Sequence, residues 1–327
     1  MKSASWSSIG LVVMALALLP LLLTSNVALN FVTFAGIITL AAQGWNVLAG
    51  YGGQFSFGHA VFFGTGAYTM ALLQVRLGIN PWLALPVALA AGGAVGFAIG
   101  FLTFRANLRG SYFALVTLAF AEVFRIVTNA ASFTGGAAGV LVPLNASAAN
   151  MQFADKRALY WLVLAFVAAA LVLTNLVARS KFGARLVAVR ENEDAARALG
   201  VDALAVKLQA ITLSAVMTAA AGCLYVQKFL YLDASIGFGT WISVDALLAP
   251  IVGGLGTVFG PLVGTVALLG LGELSKTLFA RFTGGTVPGV DLVVFGALLV
   301  LVVAYAPKGL IGAVASLRRR RTSGGMA

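Results

Sequence analysis

Hydrophobic and polar positions in this chain fall into long blocks instead of alternating. Apolar runs of the length an α-helix needs to cross roughly 30 Å of hydrocarbon recur along it, separated by short polar connections. The predicted spans are residues 9–24, 30–48, 56–75, 82–104, 111–131, 158–178, 207–226, 241–255, 260–279 and 289–306. A membrane β-barrel would instead show alternating segments of about ten residues. The pattern therefore predicts an all-α polytopic membrane protein of about ten transmembrane helices. The eighth span is short, and Gly253, Gly254, Gly256 and the Gly260-Pro261 pair follow it. It reads as a half-helix whose broken backbone must be covered by protein. The first span lacks a clean small-x-small cleavage site, so a retained anchor is expected over a cleaved secretory signal.

Charge fixes an expected orientation. With the N-terminus inside, Lys2, Arg105, Arg109, Arg179, Lys181, Arg185, Arg190, Arg197, Lys207, Lys308 and the run Arg318 to Arg321 fall on the inner side. Only Arg76, Lys156, Arg157, Lys228, Lys276 and Arg281 fall outside, and Arg125 lies within a span. This bias predicts N-in and C-in. Trp82, Trp161 and Trp241 then sit at the outer ends of their spans, where aromatic rings favour the headgroup layer. The longest interruptions are an outer loop at about 132–157 and an inner loop at about 179–206. Residues 1–315 thus read as one transmembrane domain, and 316–327 as a basic, disordered tail touching anionic lipid.

Composition narrows the function. Hydrophobic residues make up 61% of the chain, charged ones 9%, and the mean hydropathy is +1.00. The net charge of +11 is spread over short connections, which argues against a nucleic-acid surface. Cys223 is the only cysteine and His59 the only histidine, so neither a disulfide framework nor a multi-histidine metal site can form. Hydrolase, zinc-protease and Walker A motifs are absent, and Asp245, Glu273 and Asp291 look too scattered to act as a paired acid and base.

The inner loop carries the densest polar information, from Arg185 to Asp202. Asn192 is placed to cap a short helix, Glu193 and Asp194 put carboxylates in its first turn, and Gly200 can close it in the left-handed conformation. So short a helix is unstable alone and must pack on something. Its apolar residues Ala195, Ala196, Ala198 and Leu199 suit either a groove on a soluble partner or the chain's own membrane domain.

Polar residues inside spans form a second group. Gln43 and Asn46 share a helix face, and Gln54, Ser56 and His59 cluster at the next helix start beside Gly50, Gly52, Gly53 and Gly58. Helix packing and a wet path are both open for the cluster. Glu122 and Arg125 are three apart near mid-span, where a salt-bridged pair packed between helices is expected, or contact with a translocation path. Gly92, Gly96 and Gly100 form a small-residue stripe for close helix approach, and Gly260 and Gly264 read the same way.

Three segments resemble permeases of branched-chain amino acid ABC importers, the LivHM family, closest to the M-type subunit. They are residues 183–202 (GARLVAVRENEDAARALGVD), 44–68 (GWNVLAGYGGQFSFGHAVFFGTGAY) and 108–122 (LRGSYFALVTLAFAE), with 253–261 beside them. The resemblance implies a type II-like importer permease forming half of a pore in the bacterial cytoplasmic (inner) membrane. Implied partners are a second, related permease, two ATPase subunits that bind ATP and Mg, and a periplasmic or extracellular substrate-binding protein. It assigns ATPase coupling to Arg190, Glu191, Asn192, Glu193, Asp194, Ala195, Ala196, Arg197 and Gly200. Candidate path residues are Gln43, Asn46, Gln54, Ser56, His59, Tyr112, Thr117 and Glu122. No catalytic residue, cofactor or metal is expected in this chain. Ala137 and Ala138 stand in the outer loop where the family more often has polar residues, which leaves the solute open. The rival is a self-sufficient secondary transporter coupled to protons through Glu122 or His59.

Overall fold

The structure, a computed structural model, describes residues 3–23, 25–283, 289, 293, 296–297, 300 and 309–313. The predicted span 289–306 falls largely outside these residues. Lys2, Asp291, Lys308, the arginine run at 318–321 and the tail lie wholly outside them.

The described chain is a bundle of helices. They are α1 (Trp6–Leu22), α2 (Asn26–Trp45), α3 (His59–Leu77), α4 (Pro81–Arg105), α5 (Gly110–Ala130), α6 (Lys156–Arg179), α7 (Lys181–Glu191), α8 (Glu193–Ala198), α9 (Ala203–Phe229), α10 (Ala234–Gly237), α11 (Thr240–Gly253) and α12 (Gly260–Thr283). Each predicted span up to residue 279 coincides with one of them. Among the described residues, six helical stretches are long and apolar enough by themselves to cross a membrane. The inner loop holds more than the short capped helix its sequence predicts: the eleven-residue α7 precedes it, capped by Ser180, whose hydroxyl accepts from the Gly183 N–H.

α9 is the axis of the packing, against α2, α3 and α4. Its middle, Ala215 to Gly222, is nearly all small residues and buried. The glycine stripe of α4 lies on it: a methyl group at Gly92 or Gly96 would collide with the Cβ of Ala219 or Ala215. Gly264 likewise lets α12 close on the Ala249 carbonyl of α11. Without a hydrophobic drive between helices in lipid, such close backbone contact is what dispersion can use.

α2 does not stop at Trp45. It passes into a six-residue π-helical stretch, Asn46–Tyr51, after which the backbone is irregular until His59. α11 is only fourteen residues, about 21 Å. The backbone that follows breaks at 254–258 and is bonded by Gln43 and Asn46, while the helical stretch Ala234–Gly253 taken as a whole is long enough to cross a membrane.

The two ends of the bundle differ. At one, the loop between α5 and α6 pairs with the segment after α9, as strands β1 (Val140–Leu141) and β2 (Tyr231–Leu232) with Val140 opposite Leu232. Trp82 donates its indole N–H to the Ala148 carbonyl and Trp161 to Ala17, so both rings lie at this end, with Trp241 at the start of α11. At the other end sit α7, α8 and the Arg109 and Lys207 side chains. α1 is peripheral, held to α6 by Tyr160 OH donating to the Leu16 carbonyl at 2.8 Å and by the Ala4 N–H donating to Asn175 Oδ1 at 3.0 Å.

Candidate functional site: a charged hairpin, a buried clamp and an uncovered helix face

The hairpin of α7 and α8 is built as the local sequence predicts. Asn192 Oδ1 accepts the Ala195 N–H at 2.9 Å. Gly200 has φ +83°, and the Gly200 and Val201 amides donate back to the Arg197 and Ala196 carbonyls. Leu186, Val189 and Ala196 are buried beneath the hairpin.

Its electrostatics centre on Glu193, whose side chain is 10% exposed. Lys207 of α9 reaches Oε2 at 2.6 Å, Arg109 at the head of α5 reaches the same oxygen at 3.3 Å, and Arg197 reaches Oε1 at 2.7 Å. The Lys207 side chain is 4% exposed and lies 5.5 Å from the centre of the Phe104 ring. One carboxylate thus ties α8 to the starts of two long helices. Arg190 does similar work for α7, donating from Nη1 to the Gly50 carbonyl at 2.8 Å while pairing with Glu191.

The coupling candidates therefore divide. Glu193, Ala196 and part of Arg190 face the chain's own bundle, while Glu191, Asn192, Asp194, Ala195, Arg197 and Gly200 face away. So does Leu199, 85% exposed, which sequence reasoning named only among small apolar residues. In the sequence, Lys207 and Arg109 read only as topology charges. Their assignment to the same side as Glu193 was the signal that could have joined them.

The polar cluster behind α2 is a clamp. Gln43 Nε2 donates to the Val258 carbonyl at 2.8 Å, and its Oε1 accepts from Thr174 at 3.1 Å. Asn46 Nδ2 donates to the Thr257 carbonyl at 3.0 Å, and its Oδ1 accepts the Gly256 N–H at 2.9 Å. Both side chains thereby satisfy the broken backbone after α11. Gly50 makes room for this: a Cβ there would strike the Asn46 side chain and lie 2.8 Å from the Gly256 nitrogen.

Ser56 Oγ accepts the Gly58 N–H, and Trp45 Nε1 donates to the Ser56 carbonyl at 2.8 Å. His59 Nε2 lies 2.8 Å from Ser214 Oγ, while its Nδ1 has no partner among the described residues. Thr117 Oγ1 accepts the Phe57 N–H at 3.2 Å, joining α5 to this network. Gln43, Asn46, Ser56, His59 and Thr117 are all buried; Gln54, half-buried, donates to the nearby Gly52 carbonyl.

Tyr112 and Glu122 lie elsewhere. They stand on the face of α5 that the described residues leave uncovered, with Leu115, Val123, Ile126 and Val127. The Glu122–Arg125 pair forms as expected, Nε to Oε2 at 2.9 Å, yet it is not packed between helices: the side chains are 47% and 34% exposed. Asp245 and Glu273, which looked scattered in the sequence, instead share a cleft of about 500 Å³ with Phe31, Phe34, Trp241 and Lys276. Among the described residues no group of three or more histidine, cysteine or acidic side chains is placed to hold a metal.

A family model described as the branched-chain amino acid transport system / permease component matches residues 27–303. The chain belongs to this family. It is accordingly a multi-pass membrane permease.

Among its relatives, the high-affinity branched-chain amino acid transport system permease protein LivM of Salmonella typhimurium is 29% identical over 88% of this permease and 71% of the relative. LivH of Escherichia coli, named for the same transport system, is 27% identical over 86% of this chain and 94% of its own. The probable LivM of Methanocaldococcus jannaschii is 26% identical over 80% and 77%. No solved structure matches the permease significantly. The match spans α2 through α12 and so includes the hairpin, the clamp and the uncovered α5 face. The Ala137–Ala138 departure lies in the short turn leading into β1, where Tyr231 OH donates to the Ala138 carbonyl at 3.3 Å.

Proposed function

We propose that this permease is one of two membrane subunits of an ATP-driven importer of branched-chain amino acids in the bacterial cytoplasmic membrane. The α7–α8 end faces the cytoplasm, in accord with the bias of Lys and Arg toward it. A cytoplasmic ATPase docks on the outward residues Asp194, Ala195, Ala198 and Leu199, and a second ATPase serves the partner permease. A substrate-binding protein delivers the solute at the β1–β2 end. ATP and Mg belong to the ATPases, whose closure moves the hairpin and, through Glu193, the starts of α5 and α9.

The observation that carries this reading is the hairpin's construction. A six-residue helix, too short to stand alone, is held by its own Glu193 carboxylate to Lys207 and Arg109 of the bundle, and its C-cap Leu199 is almost fully exposed. A helix fixed on one side, with Ala195, Ala198 and Leu199 exposed on the other, suits insertion into a groove on a partner. Its clamp-like companions Gln43 and Asn46 give the bundle the rigidity to transmit the motion.

The test is to purify the tagged permease from its native membrane in mild detergent, identify what accompanies it, and measure leucine uptake by the reconstituted assembly with and without ATP. ATPase subunits, a second permease and ATP-dependent uptake are expected. Leu199→Asp should keep the permease in the membrane but release the ATPases. Recovery of the chain alone after gentle cross-linking, or uptake that follows a proton gradient at constant ATP, would overturn the reading in favour of a secondary transporter.

A further inference from the structure

α5 is the least covered of the candidate spans, with 28% of its most apolar window buried. Its uncovered face carries a complete charge pair close to the helix midpoint: Glu122 lies two residues, about 3 Å, beyond the centre of Gly110–Ala130. Ionised side chains within spans face a bundle interior or a wet cavity, because hydrocarbon solvates them poorly. Among the described residues, the elements that pack on α5 lie on its other side. The pair therefore needs a polar space that the described residues do not close.

We propose that Glu122 and Arg125 form the mid-membrane binding site for the permeating amino acid, between this permease and its partner subunit. Glu122 takes the α-ammonium and Arg125 the α-carboxylate. The proposal rests on the importer reading above and names the solute chemistry of the path that reading requires.

The geometry has three features that fit. First, the two groups neutralise each other when the site is empty, so no lone charge waits in the membrane; a zwitterion can open the pair and replace one ion pair by two. Second, Arg125 offers Nε and Nη2 together to Glu122, a fork that matches any carboxylate, including that of the solute. Third, Ala119, one turn before Glu122 on the same face, is small, and Val123 and Ile126 beside the pair are 53% and 54% exposed. This leaves room and an apolar lining for an aliphatic side chain next to the charges. The cluster around His59 is buried.

Two experiments test the proposal in the complete, reconstituted assembly. Cys223, the only native cysteine, is buried, so Ala119→Cys introduces one addressable thiol. A membrane-impermeant methanethiosulfonate reagent should label it, and saturating leucine should slow labelling about fivefold through occupancy. Neither 3-methylbutylamine, which lacks the carboxylate, nor 4-methylpentanoate, which lacks the ammonium, should do so. No labelling, labelling indifferent to leucine, or equal protection by the three compounds would overturn the site.

The second experiment replaces both charges, as Glu122→Leu with Arg125→Leu, and in parallel exchanges them, as Glu122→Arg with Arg125→Glu. A pair serving only to keep the helix neutral is dispensable in the first and restored in the second. Recognition instead predicts a drop in leucine uptake of roughly tenfold or more in both, the scale of losing a charge-assisted hydrogen bond, while the subunits still co-purify. Uptake within twofold of wild type in either variant refutes the proposal. Failure of the wild-type assembly to transport any amino acid would instead sink the importer reading, and this site with it.

Discussion

Replacing Glu193 by glutamine should loosen the hairpin far more than a surface ion pair would suggest. The Lys207 ammonium lies 2.6 Å from Glu193, with only 4% and 10% of the two side chains exposed. Removing one partner of such a pair strands the other charge, which costs about 3–5 kcal/mol. Glutamine keeps an oxygen for Lys207, and Arg109 and Arg197, 48% and 44% exposed, remain hydrated. The low end, about 3 kcal/mol, is therefore the expected loss.

That loss is felt locally, because α8 has six residues and little else beneath it but Ala196. In hydrogen exchange read by mass spectrometry, protection of the peptide covering 190–206 should fall roughly a hundredfold, since each 1.4 kcal/mol is tenfold. Protection in the middle of α9 should hold. Adding Lys207→Met removes the stranded charge, so the double variant should recover most of the protection instead of summing the two costs. Protection within threefold of wild type in Glu193→Gln, or full additivity in the double variant, would refute the claim that this carboxylate locks the hairpin.

Other outcomes follow from the same reasoning. Asn46→Ala strips the Gly256 N–H and the Thr257 carbonyl of partners in a part-buried loop, at about 1–3 kcal/mol each; limited proteolysis should then cut near 254–258, where wild type resists. Gly96→Leu drives a side chain into Ala215 of α9; a cost of about 1–3 kcal/mol or more from overpacking should appear as a lower melting temperature in detergent. Asn192→Ala removes the cap of α8 and should weaken the hairpin by about 1 kcal/mol, visible as a modest exchange increase confined to 193–196. An unchanged profile would mean that Glu193 alone holds the helix.

Much of the frame was legible before any coordinates. Spans could be read because hydrophobic length is a property of consecutive residues, and α2 through α6 begin and end within a few residues of expectation. The hairpin's cap and stop were legible because Asn192 and Gly200 act on amides three or four residues away. The eleven-residue α7 was missed since it is charged, short and joined to α6 by Ser180 alone. The β1–β2 pairing was missed as well, since it joins two-residue strands some ninety positions apart.

The chain's sequence by itself determined that it is an all-α polytopic membrane protein, where its long helices run as far as residue 279, and that residues 192–200 form a capped turn of helix. Only the tertiary structure decided which side of each helix is covered. It assigned Gln43 and Asn46 to a loop more than two hundred residues away, made Glu193 the meeting point of Arg109, Arg197 and Lys207, and left Glu122 and Arg125 on an open face. The physical reason is the solvent. In water a buried face betrays itself by being apolar, but lipid tails are as apolar as leucine, so a helix side turned to lipid and one turned to a neighbour carry the same residues. Contact between helices is then settled by fit and by hydrogen bonds across the bundle, which exist only once the helices are in place.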